Sequence, residues 1–139
     1  SGMSVVNNNN NTCDRFQESV SQLLIKHKSI LDVLTKQQES ITRVNRAIVK
    51  AVTSCGCIEI HASKQEIEDE ISIENIHNAL DSHLSGKLCD QCDYIVQQEI
   101  GNHMFYLASL CNLLDLNLLE IIQKEDKKIK TLGIYNMLR

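Results

Sequence analysis

Four of the six cysteines fall in two close pairs, Cys55-Gly56-Cys57 and Cys89-Asp90-Gln91-Cys92. A C-x-C plus a C-x-x-C offers four soft thiolates, the donor set of a tetrahedral zinc site with Zn–S bonds of about 2.3 Å. Closing such a site adds its binding free energy to folding. Two other readings of the same residues stand beside it. Free cysteines are small apolar residues that cores readily bury. A C-x-x-C at a helix start lowers the pKa of one thiol, which would make Cys89 and Cys92 a redox pair. Cys13 and Cys111 stand apart, the first at the edge of an N-terminal tail and the second on an apolar helix face.

The elements that must bring the two pairs together are helical. Residues 14–54 contain no helix breaker. Val20, Leu23, His27, Ile30, Leu34, Gln37, Ile41, Val44 and Ile48 recur there in steps of three and four, a stripe along one helical face. The stretch reads either as one long helix or as two in tandem. In the second case the break falls near 35–38, where Thr35 and Gln38 form a capping box. Gly56 stops it. Ile58 to His61 alternates and reads as extended, and 61–71 is an acidic connector. Ser72 caps a short helix over 73–84, with Ile73, Ile76, Leu80 and Leu84 on one face and Gly86 at its end. A long helix follows over 90–114, then a turn at Asp115-Leu116-Asn117. A last helix over 118–130 turns Leu118, Leu119, Ile121, Ile122 and Ile129 inward and stops at Gly133. If the stretches before Cys55 and after Cys89 pack as neighbours, the four sulfurs meet at one point.

Composition bounds the rest. A chain of 139 residues forms one domain with a real core. It has no proline, no tryptophan and 4% aromatics, so Leu, Ile and Val supply the apolar bulk, which suits helices better than an all-β fold. The net charge is -4 and no basic run stands out, which argues against a nucleic-acid surface. No apolar run approaches the length of a membrane span. Ser1-Gly2 before Met3 reads as a cloning scar, and residues 1–12, with the run Asn7 to Asn11, read as a disordered tail ahead of one helical domain over 13–139. A cytoplasmic protein without membrane contact is expected, and in that reducing setting thiols or metal ligands are favoured over disulfides.

The second site is acidic. Glu99, Asn102, His103 and Tyr106 share one helical face. The plain alternative is a surface pair between Glu99 and His103. Glu99-Ile100-Gly101-Asn102, with His103-Met104-Phe105-Tyr106-Leu107-Ala108-Ser109-Leu110 and the segment through Glu120, resembles the E-[LI]-[GA]-D…L…LA…L-G-[IL]-D-L-E segment of MazG-like nucleoside triphosphate pyrophosphatases. Lys36-Gln37-Gln38-Glu39-Ser40-Ile41-Thr42-Arg43-Val44-Asn45-Arg46-Ala47-Ile48 resembles that family's K-L-x-E-E-x-x-E-L-x-R-A-I helix. The likeness covers roughly 36–50 and 95–130 and leaves the cysteine-bearing insert outside.

The resemblance implies an all-α bundle of the MazG-like type, about four main helices plus the short one in the insert, and a homodimer in which the Val20-to-Ile48 stripe serves the interface. It implies a magnesium site at Glu39, Glu99 and Asn102. Only the two glutamates keep the family's acidic ligands, because Ser40, Arg43 and Asn102 replace the other three. Two carboxylates hold magnesium weakly, and Arg43 puts a cation where an ion would sit. Arg43, Lys124 and Lys128 are phosphate-contact candidates, the two lysines reading equally as solvated residues of a terminal helix. The expectation is a diverged member that binds a nucleotide or other phosphate ligand with pyrophosphohydrolase activity weak or lost. The alternative is a non-enzymatic, zinc-stabilised oligomerisation or regulatory module.

Overall fold

The computed structural model describes residues 2–23, 29–66 and 80–133, with side chains from residue 12 onward. Four helices and one two-stranded ribbon make up these residues: α1 Gly2–Leu23, α2 Ile30–Lys50, β1 Ile58–Ile60, β2 Leu84–Gly86, α3 Asp90–Leu113 and α4 Leu118–Leu132. The all-α bundle is as the periodicity predicts. Among the described residues, no single helix is long and apolar enough to cross a membrane.

Helix α3 is the central element. Helix α2 lies antiparallel along it, as the Ser40–His103 bond and the Cys55–Cys89 approach at successive points of the seam require. Helix α2 buries Val33, Ser40 and Val44, followed by Ala51 at its end. Val44 belongs to the predicted stripe, whereas Val33 and Ser40 lie one position before its Leu34 and Ile41. Ile30, Leu34, Ile41 and Ile48 instead remain 37–44% exposed. The reason is size: Ser40, Ala47 and Ala51 let two helix backbones approach closely, and the bulkier aliphatic row is displaced to the flank.

The tandem-helix alternative holds: α2 starts afresh at Ile30 after an extended Ser29. No break occurs at 35–38. Thr35 sits within α2 and donates its hydroxyl to the Leu31 carbonyl at 3.0 Å, so it caps nothing. At the other end, α1 begins at Gly2, so the Asn7–Asn11 backbone is helical and no break marks a boundary at residue 12. Asparagine is a poor helix former, though its cost per residue is only a few tenths of a kcal/mol, well below that of glycine or proline. His27 of the stripe and most of the predicted 73–84 helix lie outside the described residues. The described end of that helix is a correction: 80–83 is irregular and Leu84 is in a strand.

Helix α1 docks through one glutamine. Gln17 Nε2 donates to Asn112 Oδ1 at 2.9 Å and to the Leu116 carbonyl at 2.7 Å. Its Oε1 accepts from the Leu118 amide at 2.9 Å, and Asn112 returns a bond to the Gln17 carbonyl. Gln17 therefore satisfies an amide in the first turn of α4, beside the Asn117 side chain that caps Glu120. Phe16 and Val20 of α1 pack on Phe105, Ala108, Leu113 and Leu118. The predicted turn at 115–117 closes α3 with Asp115 in the left-handed region and the Leu116 amide bonded back to the Cys111 carbonyl at 2.8 Å.

One expectation for α4 fails in part. Leu118 packs on the core and Leu119 is half-buried, but Ile121, Ile122, Ile129 and Leu132 are 42–51% exposed. The helix touches the rest of the chain mainly through α1 and the corner before it, so its amphipathic face has no inner partner within the described residues.

The ribbon has a hard steric requirement. Ile58 pairs with Gly86, Glu59 with Ser85 and Ile60 with Leu84. Gly86 has φ +85°, and a Cβ there would lie 2.5 Å from the Cys57 carbonyl oxygen. Gly86→Ala is expected to destabilise the fold by on the order of 2–3 kcal/mol, since strain and clash coincide. Urea unfolding of this variant beside Gly56→Ala, where space is open and only φ is unfavourable, checks it: Gly86 should cost clearly more.

Candidate metal centre and the adjoining cleft

Three local devices bring the cysteines together. Helix α2 runs into a single π-helical turn, Ala51–Cys55, closed by the Gly56 amide bonding to the Ala51 carbonyl at 2.9 Å with Gly56 at φ +78°. Gly56 thus ends the helix, as the sequence predicts, and reverses the chain so that Cys57 follows Cys55 around the turn. Cys57 Sγ contacts the Ala51 carbonyl at 3.8 Å. The ribbon then returns the chain, and its register sets Gly86 opposite Ile58, three residues before Cys89. Cys89 is the N-cap of α3, its sulfur accepting from the Cys92 amide at 3.4 Å.

The outcome is convergence. One sulfur from each of Cys55, Cys57, Cys89 and Cys92 lies within 4.8 Å of the others, close enough to hold a metal ion. Cys55 Sγ and Cys89 Sγ are 3.7 Å apart. Tetrahedral Zn–S bonds of about 2.3 Å give S···S edges of about 3.8 Å, so this pair already stands at the spacing of a closed site. The set is not a fully buried core cluster: Cys55 is exposed and the other three are half-buried. The buried-thiol reading holds for Cys111, which is buried.

The thiols are electrically unequal. Cys89 is lowered to about 7, first by the Cys92 amide aimed at its sulfur and then by the Cys92 thiol. Cys92 is pushed up to about 12, chiefly because its proton is shared with Cys89. Cys55 is raised by the same kind of bond to Cys89. The cluster thus holds one thiolate near neutral pH, and binding a cation would displace the remaining protons.

Running from this cluster along the α2–α3 seam is a chain of depressions. The first, about 370 Å³, is bordered by Cys55 and Cys92 with Ala47, Lys50, Ala51, Ser54, Gln91 and Ile95. The next, about 290 Å³, shares Ala47, Lys50 and Ile95 with it and adds Arg43, Arg46 and Glu99. The third, about 230 Å³, is polar and joins the second at Arg43, with Lys36, Glu39, Ser40, Asn102 and Tyr106 around it.

The acidic site is changed in character. Glu39 and Asn102 do line one cleft, but Glu99 lines the neighbouring depression, so the two glutamates do not share a pocket. Glu39 is committed: Arg43 reaches it at 3.0 Å and Lys36 at 3.4 Å. The Arg43 hydrogen bond and then Lys36 hold its carboxyl below the usual range. Ser40 is buried and donates to the Gln37 carbonyl at 2.7 Å. With that proton engaged, the 2.8 Å contact to His103 Nδ1 is a bond donated by the imidazole. His103 therefore ties α3 to α2 through Ser40. Lys124 and Lys128 line a separate shallow depression on α4 with Lys127, and Lys128 pairs with Glu125 at 3.2 Å. They do not join the Arg43 cleft.

Lys36, Arg46 and Lys50 escaped the sequence reading. The signal was present, since Lys36, Arg43, Arg46 and Lys50 recur at helical spacing on one side of α2. Comparison of the chain with protein-family models, with curated proteins and with solved structures found no match to any of them.

Protein purified reduced and without added metal is expected to carry one thiolate-bound ion per chain by elemental analysis. Chelation should lower the melting temperature by on the order of 5–15 °C. Cys57→Ser should lose the ion, and a wild-type chain free of metal with an unchanged melting curve would contradict the assignment.

Proposed function

We propose that this chain is a zinc-stapled, diverged member of the MazG-like bundle type that binds a phosphate-bearing ligand, such as a nucleotide, without hydrolysing it at an enzyme's rate. The observation that carries the reading is the Glu39–Arg43 ion pair at 3.0 Å. A carboxylate that a triphosphate hydrolase of this type would turn toward magnesium is occupied by a guanidinium. The cleft therefore presents cations directly. Arginine binds phosphate by paired, charge-assisted hydrogen bonds that need no metal. Lys36 stands on one side of it, and Arg46 and Lys50 continue the positive edge along the seam. Asn102 and Tyr106 offer neutral hydrogen-bonding groups opposite.

What is missing defines the limit on chemistry. Hydrolysis of a triphosphate by metal ions needs clustered carboxylates to place two ions and generate hydroxide. Here Glu99 lines the next depression, together with Arg43, Arg46 and Lys50. Zinc at the cysteines supplies no catalytic position either: four thiolates make a closed site, whose work is to hold α2 and α3 together.

A second reading has its own observation. The aliphatic face of α4 and the flank of α2 are exposed. Exposed aliphatic faces of this kind are what a homodimer would cover. The chain would then serve as a zinc-stabilised oligomerisation or regulatory module.

Two measurements separate the readings. A nucleoside triphosphate should raise the melting temperature of the wild-type chain with or without magnesium. Arg43→Ala should weaken that binding roughly tenfold or more, the worth of a charge-assisted contact. Turnover of about 1 per second or faster with magnesium or manganese would overturn the non-hydrolysing reading. Sedimentation equilibrium should give twice the chain mass, and Ile122→Glu should shift it toward the monomer. If the dimer forms and no phosphate compound binds, the module reading stands alone.

A further inference from the structure

The cysteine cluster has an open side. Cys55 is exposed, and the depression of about 370 Å³ reaches both Cys55 and Cys92. A small oxidant entering there meets the Cys55 sulfur first. A resolving partner stands on the other segment: Cys89 Sγ lies 3.7 Å away. A disulfide needs about 2.05 Å between sulfurs, so closure asks for well under 2 Å of movement. Cys55 ends the π-helical turn and is followed by Gly56, a place where the backbone can yield that distance. A bridge to Cys57 would instead have to close across Gly56 alone. Within the C-x-x-C pair, the redox site suggested by spacing, Cys89 also meets the Cys92 thiol, so a Cys89–Cys92 bridge is the competing outcome.

We propose that the cluster is an oxidation site in which a hydroperoxide joins Cys55 to Cys89 and discharges the metal. The bridge rests on the geometry alone, and the discharge rests on the zinc reading above. Cys55, as the thiolate it would be in the zinc-loaded cluster, attacks one peroxide oxygen. The O–O bond breaks, and the other oxygen leaves as water after taking a proton, giving a sulfenic acid on Cys55. The Cys89 thiolate attacks that sulfur, the S–O bond breaks, and the hydroxide takes a second proton and leaves as water. The two sulfurs together lose two electrons and the peroxide gains them. Two thiolates, one hydrogen peroxide and two protons give one disulfide and two waters. Cys57 and Cys92 then remain as the sole thiolate ligands, and two are too few for a closed site. The ion leaves while a covalent tie takes its place across the same seam, so oxidation exchanges one staple for another.

The test uses the full chain loaded with zinc, titrated with hydrogen peroxide. Released zinc is read with a chromogenic chelator and bridges are located by non-reducing peptide mass spectrometry. One zinc should be released per bridge formed, the linked peptides should be those of Cys55 and Cys89, and dithiothreitol should restore zinc binding. The oxidised, zinc-free chain should melt above the reduced, zinc-free chain, because only the former keeps the seam tied. Cys55→Ser and Cys89→Ser should each abolish the bridge, whereas Cys92→Ser should retain it even if it holds zinc poorly. A bridge between Cys89 and Cys92, or sulfinic acid on Cys55 with no bridge, would overturn the proposal. So would zinc retention with all thiols reduced at tenfold excess peroxide. If the chain never holds zinc yet forms the Cys55–Cys89 bridge, the oxidation site stands and only the zinc reading falls.

Discussion

The backbone of Gly86 passes so near the Cys57 carbonyl that a methyl group there would sit 2.5 Å from the oxygen, and the rest of the molecule is arranged around that crossing. Only a residue without Cβ lets the two short strands meet in this register. The register decides that Cys57 and Cys89 arrive on the same side of the ribbon. Their meeting fixes where α2 ends relative to where α3 begins, and that in turn fixes the antiparallel seam on which the Ser40–His103 bond and the cationic cleft depend. A shift of one residue in the ribbon would put the other face of each strand toward the helices.

Among the described residues the hydrophobic core is thin, so such a crossing gains from a staple. The buried apolar side chains are mostly small: Val20, Val33, Val44, Ala51, Val96 and Ala108, with Ile58 the largest aliphatic. Many of the larger aliphatic side chains lie on the flank of α2 and the outer face of α4. At about 0.8 kcal/mol per buried methylene, a core of valine and alanine contributes much less than one of leucine and isoleucine. Two compensations are visible. Polar ties such as Gln17, which bonds to Asn112, Leu116 and Leu118 together, secure α1 to the corner of α3 and α4. The cysteine cluster, with an ion bound, would secure α2 to α3.

How much of this the sequence disclosed follows from the range of the forces involved. Helices with uninterrupted periodicity and local stops were legible: α3 and α4 fall within two residues of their predicted ends, and Gly56 and Gly133 close helices where expected. The convergence of four cysteines was legible because their spacing leaves few other arrangements for two packed helices. The face that α2 buries was not, since an aliphatic stripe signals burial without saying by what, and here close helix approach favoured Ser40, Ala47 and Ala51. The ribbon was half legible. Ile58 to Ile60 alternates, but its partner Leu84-Ser85-Gly86 is too short for a pattern, and a glycine after leucines looks the same at the end of a helix as in a strand. Nothing local marks Gln17, whose partners lie about a hundred residues away. The acidic site was read through its carboxylates, so the basic residues that now surround them were overlooked.

Those basic residues change what the seam is able to do. A cleft with paired carboxylates attracts divalent cations and reaches phosphate only through them. When one carboxylate is tied to Arg43 and Lys36 and the next shares its depression with Arg43, Arg46 and Lys50, the same cleft becomes attractive to anions without an intermediary. The chain carries a net charge of -4, so this strip is a local reversal of sign, and an anion would be guided to it rather than to the surface at large. At the far end of the strip the sign reverses again. A tetrathiolate centre with one divalent ion has two negative charges in excess, and Lys50 lies between it and the arginines, bordering both depressions. Metal and anion would therefore act on Lys50 from opposite sides. The site that holds the helices together and the site that would hold a ligand are joined by one lysine.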